Sequence, residues 1–346
     1  MTKITVLGGG AMGTACSIVL SERPELDVTL WLRDSTEAEA VSRLRENRRY
    51  LPGARLCSRM QITSDADAAL ADVDWIVAAV PTAFLRETLQ PLCRAIGPAT
   101  PMVSVIKGLE FATFQRPSEI IQDVCGPRPV VALCGPSHAE EIARRLPASL
   151  VAASTDVAAA EQVQRMFSTD RFRVYTNRDL LGVELAGALK NVMAVAAGIS
   201  DGLGYGDNAK AALLTRGIVE MSRFGVDLGA DPQTFWGLAG IGDLVTTCFS
   251  PFGRNRRVGL LIGEGQTLEE ALHSFAGIAE GVNTCRSVYH LAMQRGIDMP
   301  IVTEVYRVLF EGRNPGEATR SLMNRPPRSE LLNMGSQKAD PLSAKS

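Results

Sequence analysis

In the first half of the chain, short apolar runs alternate with amphipathic stretches of helical period. This is the pattern of a mostly parallel sheet covered by helices on both faces. Strands are expected at residues 3–7, 28–32, 75–80, 102–106, 130–134, 150–153 and 173–175. Several are almost wholly apolar, as strands buried on both faces must be. Pro81, Gly108 and Gly135-Pro136 punctuate strand ends. They collect the turns along one edge of the sheet, where open α/β folds bind their ligands.

Past about Asp179 the alternating short strands disappear, and Ala-rich and Leu-rich stretches of helical spacing follow one another. Helices are expected at 180–199, 209–224, 232–238, 255–262, 268–275, 281–294, 301–310 and 315–322, with Gly225, Gly229, Gly296 and Gly312 where C-terminal caps are wanted. The expected fold class is therefore α/β, with a mostly parallel sheet domain over residues 1–179 followed by an all-α domain over 180–325. A length of 346 residues agrees with two domains, since it exceeds the size at which one core keeps growing. Pro326-Pro327 opens a polar segment, so 326–346 is expected to be a loose tail.

Composition narrows the function classes. Hydrophobic residues make up 46% and charged residues 21%, the balance of a soluble globular protein. Net charge is −2, and the one dense basic run, Arg254 to Arg257, is too short to track a nucleic-acid backbone. No nucleic-acid partner is expected. Met1-Thr2-Lys3 leads directly into an apolar strand without the pattern of a signal peptide, and charged residues interrupt every apolar run, so no membrane insertion and a cytoplasmic location are expected. The seven cysteines are scattered singly. They read as small buried apolar residues in a reducing compartment, and no metal site is expected.

The sharpest motif is Gly8-Gly9-Gly10-Ala11-Met12-Gly13, placed between the first strand and a helical stretch. It matches G-x-G-x-x-G in the strand-turn-helix context of a Rossmann dinucleotide turn. Gly8 permits the tight turn, Gly10 lets the backbone approach a pyrophosphate, and Gly13 lets the helix pack near the strand. Free N–H groups and the helix dipole then hold phosphate. A nicotinamide dinucleotide is the expected cofactor. The second strand ends at Arg33-Asp34, where the adenosine ribose is read. An acid there favours NAD and an arginine NADP. Arg33 comes first off the strand, so NADPH is expected, with NADH also accepted.

The substrate has to be read elsewhere. Lys107-Gly108-Leu109-Glu110 and Gly135-Pro136-Ser137-His138-Ala139 follow buried strands, and Glu184 to Asn191 belongs to the first long helix of the second half. Further on come Gly240-Ile241-Gly242-Asp243-Leu244, Arg254-Asn255-Arg256-Arg257 and Ala279-Glu280-Gly281. In this order, from the first strand to about Arg325, these motifs resemble bacterial NAD(P)-dependent glycerol-3-phosphate dehydrogenases. The resemblance implies reversible reduction of dihydroxyacetone phosphate to sn-glycerol 3-phosphate, for glycerophospholipid synthesis, by a homodimer. It implies substrate contacts from Lys107, Gly135, Ser137, Lys190, Asp243, Arg254 and Asn255. Cofactor contacts would come from the glycine turn with Ala11 and Met12, and from Arg33, Lys107, Ala139, Arg254, Ile278 and Glu280. Two departures stand out: Ala11 and Met12 replace a serine and an aromatic common in the family, and Gly253 replaces a serine before the Arg-Asn pair.

The chemistry can also be argued from the residues. Hydride delivery to a ketone needs an acid at the carbonyl oxygen. Lys190 lies in the apolar stretch from Ala186 to Ala197, where desolvation favours a neutral amine, and it is the expected catalytic acid, acting as base in the reverse direction. Asp243 is expected to anchor that lysine or a substrate hydroxyl. A small phosphorylated ketone calls for a bidentate arginine and donors at a helix start, which Arg254 and Asn255 supply. His138, His273 and His290 are given no catalytic role. Other readings stay open on the residues alone: a 3-hydroxyacyl or 6-phosphogluconate type of dehydrogenase, and a non-catalytic NADP sensor.

Overall fold

The computed structural model describes residues 1–111, 113–275, 277–327, 329 and 330. Most of the expected tail, including 331–346, lies outside the described residues. Strands β1 (Thr2–Leu7), β2 (Leu26–Trp31), β3 (Gln61–Thr63), β4 (Trp75–Ala78), β5 (Met102–Ser104), β6 (Val130–Cys134), β7 (Ala148–Ala153) and β8 (Phe172–Asn177) form one sheet. Its order is β3-β2-β1-β4-β5-β6-β7-β8. Neighbouring strands are parallel except β6 and β7, so β7 and β8 run opposite to the rest. Each expected strand is present, with ends within two residues of the expectation. Only β3 is missed: it is three residues long and starts on the exposed Gln61, too short for a period to show.

Helices α1 (Ala11–Ser21), α2 (Ser35–Leu44), α3 (Ala66–Leu70), α4 (Thr82–Leu92), α5 (Pro117–Cys125), α6 (Ala139–Ala143) and α7 (Val157–Phe167) connect the strands. Because β1 pairs with β2 on one side and β4 on the other, chain direction across the sheet reverses there. A crevice opens beyond the strand ends at that point, the usual ligand position in such sheets.

The second half is helical: α8 (Leu180–Gly202), α9 (Gly206–Asp227), α10 (Asp243–Phe249), α11 (Arg254–Gly263), α12 (Leu268–His273), α13 (Glu280–Arg295), α14 (Pro300–Phe310) and α15 (Pro315–Met323). The helix expected at 232–238 is instead a 3-10 turn, Pro232–Trp236, followed by a π turn, Leu238–Gly242. That π turn leads straight into α10, which the glycine-rich run concealed. Helix α8 is the buried spine of this half. By length and composition it suits a membrane span, contrary to the expectation that no run would, but 83% of its apolar window is enclosed by protein.

Helix α11 lies directly on α8, backbone against backbone. A Cβ on Gly198 would fall 2.0 Å from the Arg256 carbonyl oxygen, and one on Gly259 would fall 2.0 Å from that of Val195. No other residue permits this approach, which fixes the amino end of α11 above the middle of α8. Gly225 is also a close contact rather than the expected cap: it lies within α9, where a Cβ would meet the Phe235 ring. Gly229, Gly296 and Gly312 do follow helix ends with positive φ.

The cysteine expectation holds for Cys16, Cys134, Cys248 and Cys285, which are buried and free, while free Cys57 is partly buried. It fails for Cys93 and Cys125, which form a disulfide between the ends of α4 and α5. The two helices pack so that these Cα atoms stand 5.2 Å apart, within bonding range; a sequence separation of 32 residues conceals this.

Candidate active site

A cleft of about 680 Å³ runs from the glycine turn, across the ends of β4 and β5, to the amino end of α11. Most expected site residues line it: Gly8, Gly10, Ala11, Met12 and Arg33 at one end, Lys107, Ser137, Ala139 and Lys190 in the middle, and Arg254, Asn255, Ile278 and Glu280 beyond. Gly13, Gly135 and Asp243 lie behind its wall.

At the glycine turn, Gly8 has φ +113, and a Cβ there would come 2.9 Å from the Ala79 carbonyl oxygen. A Cβ on Gly13 would fall 2.0 Å from the Gly8 oxygen, so α1 touches the turn before it. Around Gly10 nothing stands within 4 Å of a Cβ position. Gly10 is also the N-cap of α1 and has no side chain to bond the first N–H groups. The resulting cradle, open where a side chain would fill it and lined by free N–H donors, suits a pyrophosphate.

One contributor here escaped the sequence reading. Asn47 is fully buried, and its Nδ2 donates to the Gly9 carbonyl at 2.7 Å and to Thr14 Oγ1 at 2.9 Å. Its Oδ1 accepts from the Tyr50 amide at 3.2 Å. The loop after α2 is thereby clipped onto the dinucleotide turn. Asp34 lines the cleft and also caps α2, its Oδ1 accepting from the Glu37 amide at 2.9 Å. The spacing Asp34-x-x-Glu37 was the available signal for that cap.

The centre of the cleft is built on Asp243, at the start of α10 and 2% exposed. Its Oδ2 accepts from Lys107 Nζ at 2.6 Å, and its Oδ1 lies 3.1 Å from Lys190 Nζ. Lys107 also donates to the Gly135 carbonyl at 2.9 Å and to Ser137 Oγ at 3.1 Å. Lys190 donates to Thr247 Oγ1 at 2.6 Å, and Thr247 passes the bond on to Asp243 Oδ1 at 3.2 Å. Thr247, one turn beyond Asp243, was not anticipated because the helix carrying it was not.

These groups shift one another. Burial pulls the Lys190 amine below the usual lysine value; Asp243 opposes the shift and neighbouring Lys107 adds to it. Burial also works against a charged Lys107, but Asp243 outweighs it and holds that amine above the ordinary value. Burial opposes the Asp243 charge too, yet the two lysines keep its carboxyl below the normal range. The site therefore contains a firmly cationic lysine, a firmly anionic aspartate and a second lysine that gives up its proton more readily.

Asn191 and Asn255 tie this centre to the surrounding helices. Asn191 Nδ2 donates to the Lys107 carbonyl at 2.9 Å, and its Oδ1 accepts from Asn255 Nδ2 at 2.9 Å. Asn255 Oδ1 accepts from the Gly281 amide at 2.9 Å. The Asn255 side chain is thus engaged on both sides at the amino end of α11. Gly253 caps that end without a side chain. Arg254 rests against Gly277, while Arg256 turns away to an ion pair with Asp201 at 2.6 Å.

Glu280, at the first turn of α13, accepts from the Thr82 amide at 2.9 Å and so reaches across to the start of α4. Burial pushes its carboxyl up to about 7. His138 lies beside the Phe252 ring, and burial, with help from Lys190, lowers its imidazole below the usual value.

A glycine turn at the ends of parallel strands, facing a buried lysine pair across one cleft shared with a helical domain, defines a two-domain oxidoreductase of Rossmann type. The chain belongs to the NAD-dependent glycerol-3-phosphate dehydrogenase family, whose N-terminal profile matches residues 3–160 and whose C-terminal profile matches residues 179–320. It is 48% identical over 329 residues to the glycerol-3-phosphate dehydrogenase (NAD(P)+) of Thermoanaerobacter sp. (strain X514), covering 95% of this chain and 99% of that one. Among solved structures, glycerol-3-phosphate dehydrogenase from Coxiella burnetii superposes with a TM-score of 0.90 at 36% identity, over 94% of this chain and 99% of the other. The glycerol-3-phosphate dehydrogenase of Saccharomyces cerevisiae gives 0.80 at 28% identity, over 92% and 98%.

Proposed function

We propose that this chain catalyses the reversible reduction of dihydroxyacetone phosphate to sn-glycerol 3-phosphate with NADPH, and also with NADH, supplying glycerophospholipid synthesis. The observation that carries this reading is Asp243 holding Lys107 and Lys190 together at the floor of the cleft. A bound nicotinamide supplies the hydride. The chain does the rest. Backbone N–H groups at the start of α1 hold the dinucleotide phosphates. Lys190, whose amine releases its proton more readily than an ordinary lysine, gives that proton to the ketone oxygen as alkoxide charge develops, and takes it back in the oxidative direction. Lys107 stays charged beside it and orients the substrate oxygens together with Ser137.

The substrate phosphate is assigned to Arg254 and the amino end of α11, where a guanidinium fork and free N–H groups coincide. Glu280, Ile278 and Ala139 enclose the cofactor on the sides away from the glycine turn. A cytoplasmic location, a homodimer and a division near residue 179 belong to the same proposal. Following NADPH and NADH oxidation with dihydroxyacetone phosphate as acceptor tests it. Turnover with this ketone is expected; its absence, with brisk turnover of a hydroxy acid, would replace the substrate assignment. Sedimentation of the purified chain tests the dimer.

A further inference from the structure

The adenosine end of the cleft contains an arginine that the reading above leaves out. Asp34 is exposed at that end, with Oδ1 accepting from the Glu37 amide as the cap of α2, so an acid of the kind that reads a ribose 2′-hydroxyl stands beside Arg33 and the arginines there have to be weighed against it. Arg33, Asp34, Glu37, Arg49 and Tyr50 all face that end. Arg49 comes from the loop that Asn47 clips to Gly9 and Thr14. Its position therefore follows the glycine turn rather than the drift of a free surface loop.

The charges around Arg49 are specific. Its Nη1 lies 3.6 Å from Glu37 Oε2, and its guanidinium lies 5.1 Å from the centre of the Tyr50 ring. Glu37 is itself only 19% exposed, and its other oxygen, Oε1, is enclosed without a hydrogen-bond partner. A bare carboxylate there would repel a phosphate placed beside it. Arg49 neutralises that carboxylate and, with 65% of its side chain exposed, still has N–H donors to offer. Arg33 and Arg49 balance Asp34 and Glu37 in formal charge. Without Arg49 the two carboxylates would outweigh Arg33, and a phosphate entering there relies on the N–H donors of both arginines.

We propose that Arg49 is a second determinant of cofactor choice, holding the 2′-phosphate of NADPH together with Arg33 while neutralising Glu37. The assignment rests on the dinucleotide-dependent activity proposed above. Replacing the fork has two consequences, loss of donors to the phosphate and exposure of the phosphate to Glu37, and both act on NADPH more than on NADH.

The test is Arg49→Ala in the full chain, read as the ratio of kcat/KM for NADPH to that for NADH. The ratio is expected to fall roughly tenfold or more, the loss of a charge-assisted contact. Arg49→Lys, which keeps the charge but not the fork, should fall between the variant and the native protein. Calorimetric titration with adenosine 2′,5′-bisphosphate and with AMP reads the same site without turnover. The native chain should prefer the bisphosphate, and Arg49→Ala should lose most of that preference. An unchanged kinetic ratio or an unchanged bisphosphate preference overturns the assignment. Should the native chain reduce dihydroxyacetone phosphate with neither cofactor, the proposed function fails, and the two titrations still decide the role of Arg49.

Discussion

Asp243 and Lys190 meet at 3.1 Å, while the second oxygen of the same carboxylate holds Lys107 at 2.6 Å. One buried anion thus keeps two cations close that would otherwise repel. Because Asp243 raises the Lys190 pKa against burial and against Lys107, removing its charge should lower that pKa further. In the reducing direction the protonated amine is the acid, so rate falls as pH rises through its pKa. Asp243→Asn should move this falling limb to lower pH. A pH–rate profile of both proteins checks it, and a limb that stays in place removes Lys190 as the titrating acid.

Lys190→Ala should lower kcat by roughly 10²- to 10⁴-fold, the usual contribution of a positioned acid. Cofactor affinity should hardly change, since the phosphates are held at the glycine turn, at one end of the cleft, and Lys190 lies in its middle. Steady-state rates and quenching of protein fluorescence by NADPH measure the two effects separately; undiminished turnover would exclude the lysine from the mechanism.

Gly10 and Gly13 of the turn should fail differently when substituted. Gly13→Ala places a methyl 2.0 Å from the Gly8 oxygen, so the folded protein should lose stability, seen as a lower melting temperature. Gly10→Ala meets nothing within 4 Å and should melt normally. Its methyl projects where a pyrophosphate must approach, and the KM for NADPH and NADH should rise together.

Asn47→Ala leaves the Gly9 carbonyl and Thr14 Oγ1 without the donor they share. A cost of about 1–3 kcal/mol is expected for stranding such groups. Denaturant titration measures it. Because the whole loop is loosened, KM should rise for both cofactors, unlike the selective effect expected at Arg49.

Glu220 is 3% exposed and accepts from the Ile301 and Val302 amides, capping α14 from α9. Burial pushes its carboxyl up to about 8 from an ordinary value of 4.5. A raised folded-state value stabilises the protein fully below the unfolded value, and that contribution is lost as pH rises through the folded one. Melting temperature should therefore fall more steeply between pH 4.5 and about 8 in the native protein than in Glu220→Gln. Parallel melting curves across that range would show that Glu220 does not titrate there.

Much of this was visible along the chain. The expected strands recur because an apolar run buried on both faces leaves a strong signal, and the glycine turn stands out because each glycine answers a local steric demand. Lys107, Lys190 and Arg254 could be named from residue type, position beside an element and family resemblance. Their mutual geometry could not. Lys107 and Asp243 are 136 residues apart, and no local period records such a contact. Thr247 was hidden with α10, whose start lies in a glycine-rich π turn that resembles a loop. Asn47 looked like any polar loop residue until its burial showed which carbonyl it serves.

What the sequence determined by itself is whatever nearest neighbours enforce: element type, the dinucleotide turn and the change from strands to helices near Asp179. Tertiary structure decided which charges meet. It gave Asp34 to a helix cap, joined two lysines on one aspartate, paired Cys93 with Cys125 and brought Arg49 to the adenosine end. Hydrogen bonds and ion pairs act over a few ångströms whatever the separation along the chain, so only the packed fold selects among the partners that composition makes available.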